Sequence, residues 1–182
     1  MTTFSSLGPE WPFDDEGFPH RQAARIVVFD SRGRILLARG HDRDQPERSW
    51  WFTIGGGLGP DEDPKIGALR ELAEETGLSA NPEDLIGPVL YRSAEFDFLS
   101  VTARQDEWFF LLHLSSVAPN TSDDGWTDLE RDVIDEHRWW DIEDLAAEES
   151  RAEVYPRGLS TLARQWLTGW DGVLHQIAER KA

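Results

Sequence analysis

The stretch "PDEDPKIGALRELAEETGL", from Pro60 to Leu78, carries the clearest structural signal in the chain. Asp63 is a good N-cap, Pro64 suits the first helical position, and Gly77 suits the position just past a helix end. The stretch therefore predicts a helix over Pro64–Thr76. An apolar side is supplied at helical spacing by Ile66, Ala68, Leu69, Leu72 and Ala73.

Three carboxylates crowd one face of this predicted helix. Glu71, Glu74 and Glu75 stand at positions i, i+3 and i+4, which lie side by side on a helix surface. Such a cluster is unfavourable unless a cation neutralises it, and Mg²⁺ usually binds a few carboxylates together with substrate phosphates. Arg70 can reach Glu74 across one turn, or Glu62 in the preceding loop. The helix therefore predicts a divalent-metal site.

A run of three glycines precedes the helix. Gly55, Gly56 and Gly57 let the backbone approach a ligand closely, because they carry no side chain. Beside the carboxylate cluster, this run predicts a site for a phosphate-bearing substrate.

The remaining chain alternates strand and helix patterns. The apolar segments Ala24–Asp30 and Ile35–Gly40, with a turn around Gly33, predict a hairpin, and Trp50–Ile54 predicts a strand that runs into the glycines. Further strands are predicted within 85–101, 106–117 and 136–142, a short helix at 142–149, and C-terminal helices at 158–170 and 172–182. Residues 1–20 predict an irregular N-terminal arm, and residues 21–182 a single domain.

Composition limits the classes of function. The formal net charge is −17, so a long polyanion such as nucleic acid is disfavoured as a partner, whereas a small anion accompanied by metal cations is compatible. The absence of cysteine excludes disulfides, thiolate metal sites and cysteine nucleophiles. No apolar run of about eighteen residues is present and the N-terminus lacks the pattern of a signal peptide, so we expect a cytoplasmic protein without membrane partners.

The segment from Gly56 to Leu78 resembles the Nudix box, G-x5-E-x7-R-E-U-x-E-E-x-G-U, where U is aliphatic. All fixed positions match: Gly56, Glu62, Arg70, Glu71, Leu72, Glu74, Glu75, Gly77 and Leu78. The flanks "WWFTIGGG" and "EHRWWDIEDL" also resemble those of Nudix hydrolases, which extends the resemblance over about residues 21–147.

This resemblance implies an α/β fold, an α/β/α sandwich around a mixed β-sheet. It implies Mg²⁺- or Mn²⁺-dependent hydrolysis of a pyrophosphate bond in a nucleoside di- or triphosphate, or in a nucleoside diphosphate derivative, by in-line attack of water. The implied metal ligands are the carbonyl of Gly55 and the carboxylates of Glu71, Glu74 and Glu75. The resemblance also implies that Glu62 and Arg70 join the loop to the helix by an ion pair.

The general base is left open by the resemblance. A glutamate of the box is one alternative, and the candidates outside the box are Glu107, Glu130 and Glu136.

Substrate contacts are expected on the strand before the glycines. Because strand residues alternate between two faces, only one of Trp50 and Trp51 can enter the cleft. We expect Trp51 to stack on the nucleobase, with Trp50 and Phe52 facing the core. Arg39 is a candidate for phosphate recognition, which suits arginine, and Gly56 for a close backbone contact.

Two other functions fit the family pattern less well. A nucleotide-sensing domain without catalysis remains an alternative, but such a domain would not need every charged position of the box. An isomerase of this family type would need a cysteine, which the chain lacks. A homodimer is left open as the assembly.

Overall fold

The computed structural model describes residues 5–98 and 101–180 of the chain. Its strands are β1 (His20–Phe29), β2 (Ile35–His41), β3 (Ser49–Gly57), β4 (Ile86–Phe98), β5 (Val101–His113), β6 (Ile134–Trp140), β7 (Glu153–Tyr155) and β8 (His175–Glu179). Its α-helices are α1 (Pro64–Thr76), α2 (Asp128–Val133), α3 (Ile142–Glu148) and α4 (Leu159–Thr168), and a 3-10 helix spans Pro82–Asp84. None of these helices has the length and apolar character needed to span a membrane.

The strands form one mixed sheet in the order β6-β2-β3-β1-β5-β4-β8, and β7 pairs with β3 outside this path. Parallel pairing joins β1 to β5, β4 to β8 and β3 to β7, while the other pairs are antiparallel. Because β3 pairs with β1 only near its end, between Gly57 and Ile54, the glycine run lies beside the centre of the sheet.

Hydrophobic clusters pack on both faces of the sheet. One contains Ala68 and Leu72 of α1 with Ile26 of β1, and the other contains Leu145 of α3 and Leu159 of α4. This layering confirms the expected α/β/α sandwich around a mixed sheet.

Helix α1 has the predicted bounds for the predicted reasons. The carboxylate of Asp63 accepts hydrogen bonds from the backbone N–H groups of Lys65 at 2.9 Å and Ile66 at 3.3 Å. Gly77 ends the helix in the left-handed region, with φ of 71°. Capping therefore fixes where the box glutamates begin and end.

The C-terminal prediction was wrong in part. Helix α4 lies within the first predicted segment, but His175–Glu179 forms strand β8, parallel to β4. The exposed edge of β4 offers backbone partners to this segment, and Ile177 packs against the core beneath it. Tertiary pairing thus overrides the local helix pattern. Residues 181 and 182 of the predicted helix lie outside the described part.

The N-terminal arm is irregular over its described residues before β1. It contains only isolated bridges before β1 begins at His20. Leu7 and Trp11 are buried and pack with Ala103 of β5 in a small separate cluster. The arm is therefore docked on the domain; its first four residues lie outside the described part.

Candidate active site

An open cleft of about 770 Å³ lies at the end of β3. Its lining includes residues of the arm, of strands β1 to β5 and β8, of α1 and α2, and of the segment after β7. The glycine run and the box glutamates share this cleft with aromatic residues, so it can hold a ligand with both polar and apolar parts.

Three carboxylates converge inside the cleft. Ligand oxygens of Glu71, Glu75 and Glu130 all lie within 4.8 Å of one another. Glu71 and Glu75 are buried, with 7% and 4% of their surface exposed. Glu130 comes from α2, outside the box. A compact set of carboxylate oxygens is the donor set that Mg²⁺ and Mn²⁺ prefer, so these residues fit a divalent cation.

Burial makes the cluster electrostatically strained without a cation. Burial, together with the neighbouring charge of Glu71, raises the pKa of Glu75 to about 8. The pKa of Glu71 is also raised by burial, against the opposing effect of Arg70. A divalent cation would relieve this unfavourable charge, because it favours the ionised carboxylates.

Arg70 connects the box loop to the box helix. Its Nε donates to Glu62 at 2.9 Å, and its Nη1 donates to Glu71 at 2.7 Å and to Glu74 at 2.9 Å. Its Nη2 donates to the carbonyl of Gly57 at 3.0 Å. Hydrogen bonds from Arg70 lower the pKa of Glu62. The structure thus places Glu62 and Arg70 in the expected pair, and turns half-exposed Glu74 toward Arg70 rather than into the carboxylate cluster.

Two glycines are required by close approaches. Gly55 has φ of 135°, and a Cβ added there would lie 2.1 Å from the carbonyl oxygen of Ala24. A Cβ on Gly56 would lie 2.7 Å from a carboxylate oxygen of Glu71. The carbonyl of Gly55 accepts a hydrogen bond of 2.5 Å from Arg25, which leaves one lone pair for a further partner.

The three base candidates outside the box occupy different environments. Glu130 is the one that lies in the carboxylate cluster. Glu107 lines the cleft but is ion-paired with both Arg25 and Arg92. Burial raises its pKa, yet the two arginines outweigh burial and bring the pKa to about 2. A carboxylate held in this way is a poor proton acceptor near neutral pH.

Glu136 lies apart from the cleft. It stands on β6, 3.3 Å from the guanidinium of Arg39, and is absent from the cleft lining. The structure therefore gives this candidate a surface ion pair.

The expectation for Trp51 was wrong. Trp51 is only 4% exposed and packs edge-on against Trp140, with 5.0 Å between ring centroids. Its neighbours Trp50 and Phe52 are half-buried and line the cleft. Alternation along β3 is as predicted, but all three residues are aromatic, so the sequence could not say which face α3 and α4 would cover.

The expectation for Arg39 was also wrong. Its guanidinium lies 3.5 Å from Asp135 and 3.3 Å from Glu136, and 5.7 Å from the ring centroid of Trp51. Arg39 pairs with Trp51 across β2 and β3, on the same face of the sheet, and is absent from the cleft lining. Arg21 and Arg25 of β1 line the cleft, and sequence reasoning missed both. Their signal was a pair of arginines near the start of a mostly apolar strand in an acidic chain.

Comparison with known proteins identifies the family. The family model described as the NUDIX domain matches residues 19–158. An RNA pyrophosphohydrolase of Dinoroseobacter shibae is 32% identical over 75 residues, which cover 41% of this chain and 45% of the relative. One of Rhodospirillum rubrum is 38% identical over 71 residues, covering 39% and 41%. The chain thus matches less than half of the length of these two relatives.

Solved structures share the fold at low sequence identity. A MutT protein of Bacillus halodurans superposes with a TM-score of 0.56 at 15% identity, covering 87% of this chain and 89% of that one. An Ap4A hydrolase of C. elegans gives a TM-score of 0.51 at 16% identity, covering 81% and 96%. The family model matches residues 19–158, which is most of the chain, and the fold is shared with these solved structures. The chain therefore belongs to the Nudix family.

Proposed function

We propose that this protein is a divalent-metal-dependent hydrolase that cleaves a pyrophosphate bond in a nucleoside di- or triphosphate, or in a nucleoside diphosphate derivative. The observation that carries the proposal is the convergence of Glu71, Glu75 and Glu130 in a cleft that aromatic residues also line. The names of the similar proteins, RNA pyrophosphohydrolase and Ap4A hydrolase, agree with phosphoanhydride chemistry.

Glu71, Glu75 and Glu130 would hold Mg²⁺ or Mn²⁺, with the second lone pair of the Gly55 carbonyl as a further ligand. Glu74 would join them after exchanging its contact with Arg70. When bound, the cation would neutralise charge on the bridging and leaving oxygens of the phosphate chain.

Glu130 is the general base that we propose. Its Oε2 accepts hydrogen bonds from the N–H of Thr127 at 2.7 Å and from the Thr127 hydroxyl at 2.6 Å, which fixes the carboxylate. No hydrogen bond to its Oε1 occurs within residues 5–98 and 101–180. One lone pair of that oxygen would bind the cation, and the other is available to accept the proton of a water that attacks phosphorus in line.

Trp50 and Phe52 would contact the nucleobase. Both line the cleft upstream of the glycine run, and aromatic faces stack on bases with little sequence preference. β3 would thus carry the base contact at one end and the phosphate contact at the glycines.

The size of the substrate is the main open choice. The relatives are named for RNA, whereas the net charge of −17 disfavours a long polyanion. We propose a small nucleotide, so RNA carrying a 5′-triphosphate should be a poorer substrate than the best mononucleotide or dinucleotide.

A hydrolysis panel tests the proposal. Nucleoside di- and triphosphates, dinucleoside polyphosphates, ADP-ribose and 5′-triphosphorylated RNA are incubated with Mg²⁺ or Mn²⁺ in ¹⁸O-labelled water, and the released phosphates are analysed by mass. We expect metal-dependent release of phosphate, and we expect Glu130→Gln to lower its rate about 10²-fold or more. The control Glu143→Gln alters an exposed ion pair with Arg164 on α4 and should keep full activity.

The competing function is a nucleotide sensor without catalysis. It would be favoured if the wild-type chain bound a nucleotide of the panel yet released no phosphate from any member with either metal.

A further inference from the structure

Arg21 is a guanidinium in the cleft whose terminal donors are unused. Its Nε donates to Gln105 at 2.6 Å, but neither Nη atom makes a hydrogen bond, and no carboxylate forms an ion pair with it, within the part of the chain that the structure describes. Arg25 and Arg92, which also line the cleft, both pair with Glu107. Arg21 is therefore a cation in the cleft without a bonded counter-charge.

The surroundings of Arg21 favour an anion. Burial, together with the nearby charge of Arg25, lowers the pKa of Arg21 to about 10, against the weaker opposing effects of Glu71, Glu10 and Glu107. An anion at the free donors would stabilise the charged guanidinium, because it would compensate both burial and the neighbouring cation.

The N-terminal arm fixes the guanidinium in place. The Cζ of Arg21 lies 4.1 Å from the ring centroid of Trp11, a cation–π contact. Trp11 is 3% exposed and packs against Phe96 of β4, with 6.2 Å between ring centroids. Gln105 holds Nε from the other strand. A side chain anchored at both its face and its Nε keeps its Nη donors in one orientation.

Arg21 and Glu71 flank the glycine run from opposite sides. A Cβ on Gly57 would lie 3.0 Å from the Nη1 of Arg21, whereas a Cβ on Gly56 would lie 2.7 Å from the carboxylate of Glu71. Successive strand positions point to opposite faces, so the two side chains reach the end of β3 from different directions. A phosphate chain that crosses the glycines would meet the glutamate cluster on one side and Arg21 on the other.

We propose that Arg21, positioned by Trp11 and Gln105, binds a phosphate group of the substrate through its two Nη donors. The proposal rests on the proposed function, because that function supplies a substrate with a phosphate chain. The planar fork of arginine matches two phosphate oxygens, and the hydrogen bonds are charge-assisted. The arm then acts in substrate recognition through Trp11, which is a positioning residue.

Binding of methylenediphosphonate tests this inference without requiring turnover. This probe has two phosphonate groups and no cleavable anhydride, and its Kd for the full chain is measured by calorimetry in Mg²⁺ buffer. Arg21→Gln should raise the Kd about ten-fold or more, because two charge-assisted hydrogen bonds are lost. Arg21→Lys should raise it less, because a point charge remains. The control Arg164→Gln removes an exposed arginine of α4 and should leave the Kd unchanged.

The role of Trp11 is tested by a double-mutant cycle. Trp11→Leu should raise the Kd of the probe in the wild-type background and have no further effect in the Arg21→Gln background, since both changes disable the same contact. A purely structural role of Trp11 would produce equal effects in both backgrounds.

Two results would overturn the inference. One is that the wild-type chain does not bind the probe. The other is that the Kd of Arg21→Gln equals that of the wild type or of Arg164→Gln. If Arg21→Gln does not fold, Arg21→Lys decides, and an unchanged Kd for that variant overturns the fork contact. Failure of the proposed hydrolysis would instead appear as missing turnover in the nucleotide panel, with probe binding and its Arg21 dependence intact.

Discussion

The carboxylate of Glu75 accepts a hydrogen bond of 2.8 Å from the backbone N–H of Gly55. This contact joins the buried face of α1 to the start of the glycine run. It holds a carboxylate next to Glu71 in a place where burial opposes its ionisation. The contact therefore holds two buried carboxylates together beside the glycine run.

Because of Glu75, the free energy of unfolding of the metal-free protein should fall as pH rises. The pKa of this group is raised from 4.5 to about 8 on folding, so the folded chain binds the extra proton. Its contribution is complete below about pH 4.5 and is lost as pH rises through about 8. In chelator, the Tm of the wild type relative to Glu75→Gln should drop over this window, by the equivalent of a few kcal/mol at most. Thermal unfolding at several pH values measures the difference, and parallel curves for the two proteins would contradict it.

Glu107 should stabilise the fold with the opposite dependence on pH. Its pKa is lowered to about 2, so its stabilisation is present above about pH 4.5 and is lost as pH falls through about 2. Glu107→Gln should lower the free energy of unfolding at pH 7 by about 3–5 kcal/mol, because Arg25 and Arg92 lose their shared counter-charge. Denaturant unfolding measures this loss. The control Glu143→Gln should cost about 0.5 kcal/mol or less, and an equal cost for both variants would refute the buried network.

Arg70 should matter for both stability and activity. Arg70→Ala leaves the carboxylates of Glu62, Glu71 and Glu74 without their common partner, so Tm and hydrolysis should both fall. Arg70→Lys should recover part of the Tm, because it restores the charge but not the forked contacts. A variant Arg70→Ala with the wild-type Tm and no activity would point to direct substrate contact instead.

The adjacent tryptophans of β3 should give different phenotypes. Trp50→Ala should raise KM about ten-fold or more and change kcat little, because stacking contributes about 1–3 kcal/mol per base. Trp51→Ala should lower the free energy of unfolding by about 3–5 kcal/mol, because it opens a cavity against Trp140. Steady-state kinetics on the best panel substrate, with denaturant unfolding, separate the two effects. The assignment of faces would be wrong if Trp51→Ala folded normally and showed the higher KM.

Local signals predicted the elements nearest the site. The caps at Asp63 and Gly77 predicted the bounds of α1, and helical spacing predicted that Glu71 and Glu75 share a face. Both signals depend on residues only a few positions apart. The same signals could not place Glu130, whose approach to Glu75 needs α2 to return to the box helix from a distant part of the chain.

Non-local packing decided where the predictions failed. The strand at His175–Glu179 exists because β4 offers an open edge, which no pattern within the segment reveals. The face of Trp51 was decided by α3 and α4 on the other side of the sheet. The ion pairs of Arg39 come from β6, so a phosphate role inferred from residue type alone was not reliable.

Glu71, Glu75 and Glu130 form the divalent-metal site that we propose. Mn²⁺ binding followed by electron paramagnetic resonance tests this site, with the wild type, Glu75→Gln, Glu130→Gln and the control Glu143→Gln. We expect bound Mn²⁺ in the wild type and control, and an affinity lower by about ten-fold or more in both cluster variants, because each removes a charged oxygen ligand. Equal Mn²⁺ affinity in all four proteins would show that these glutamates do not bind the cation.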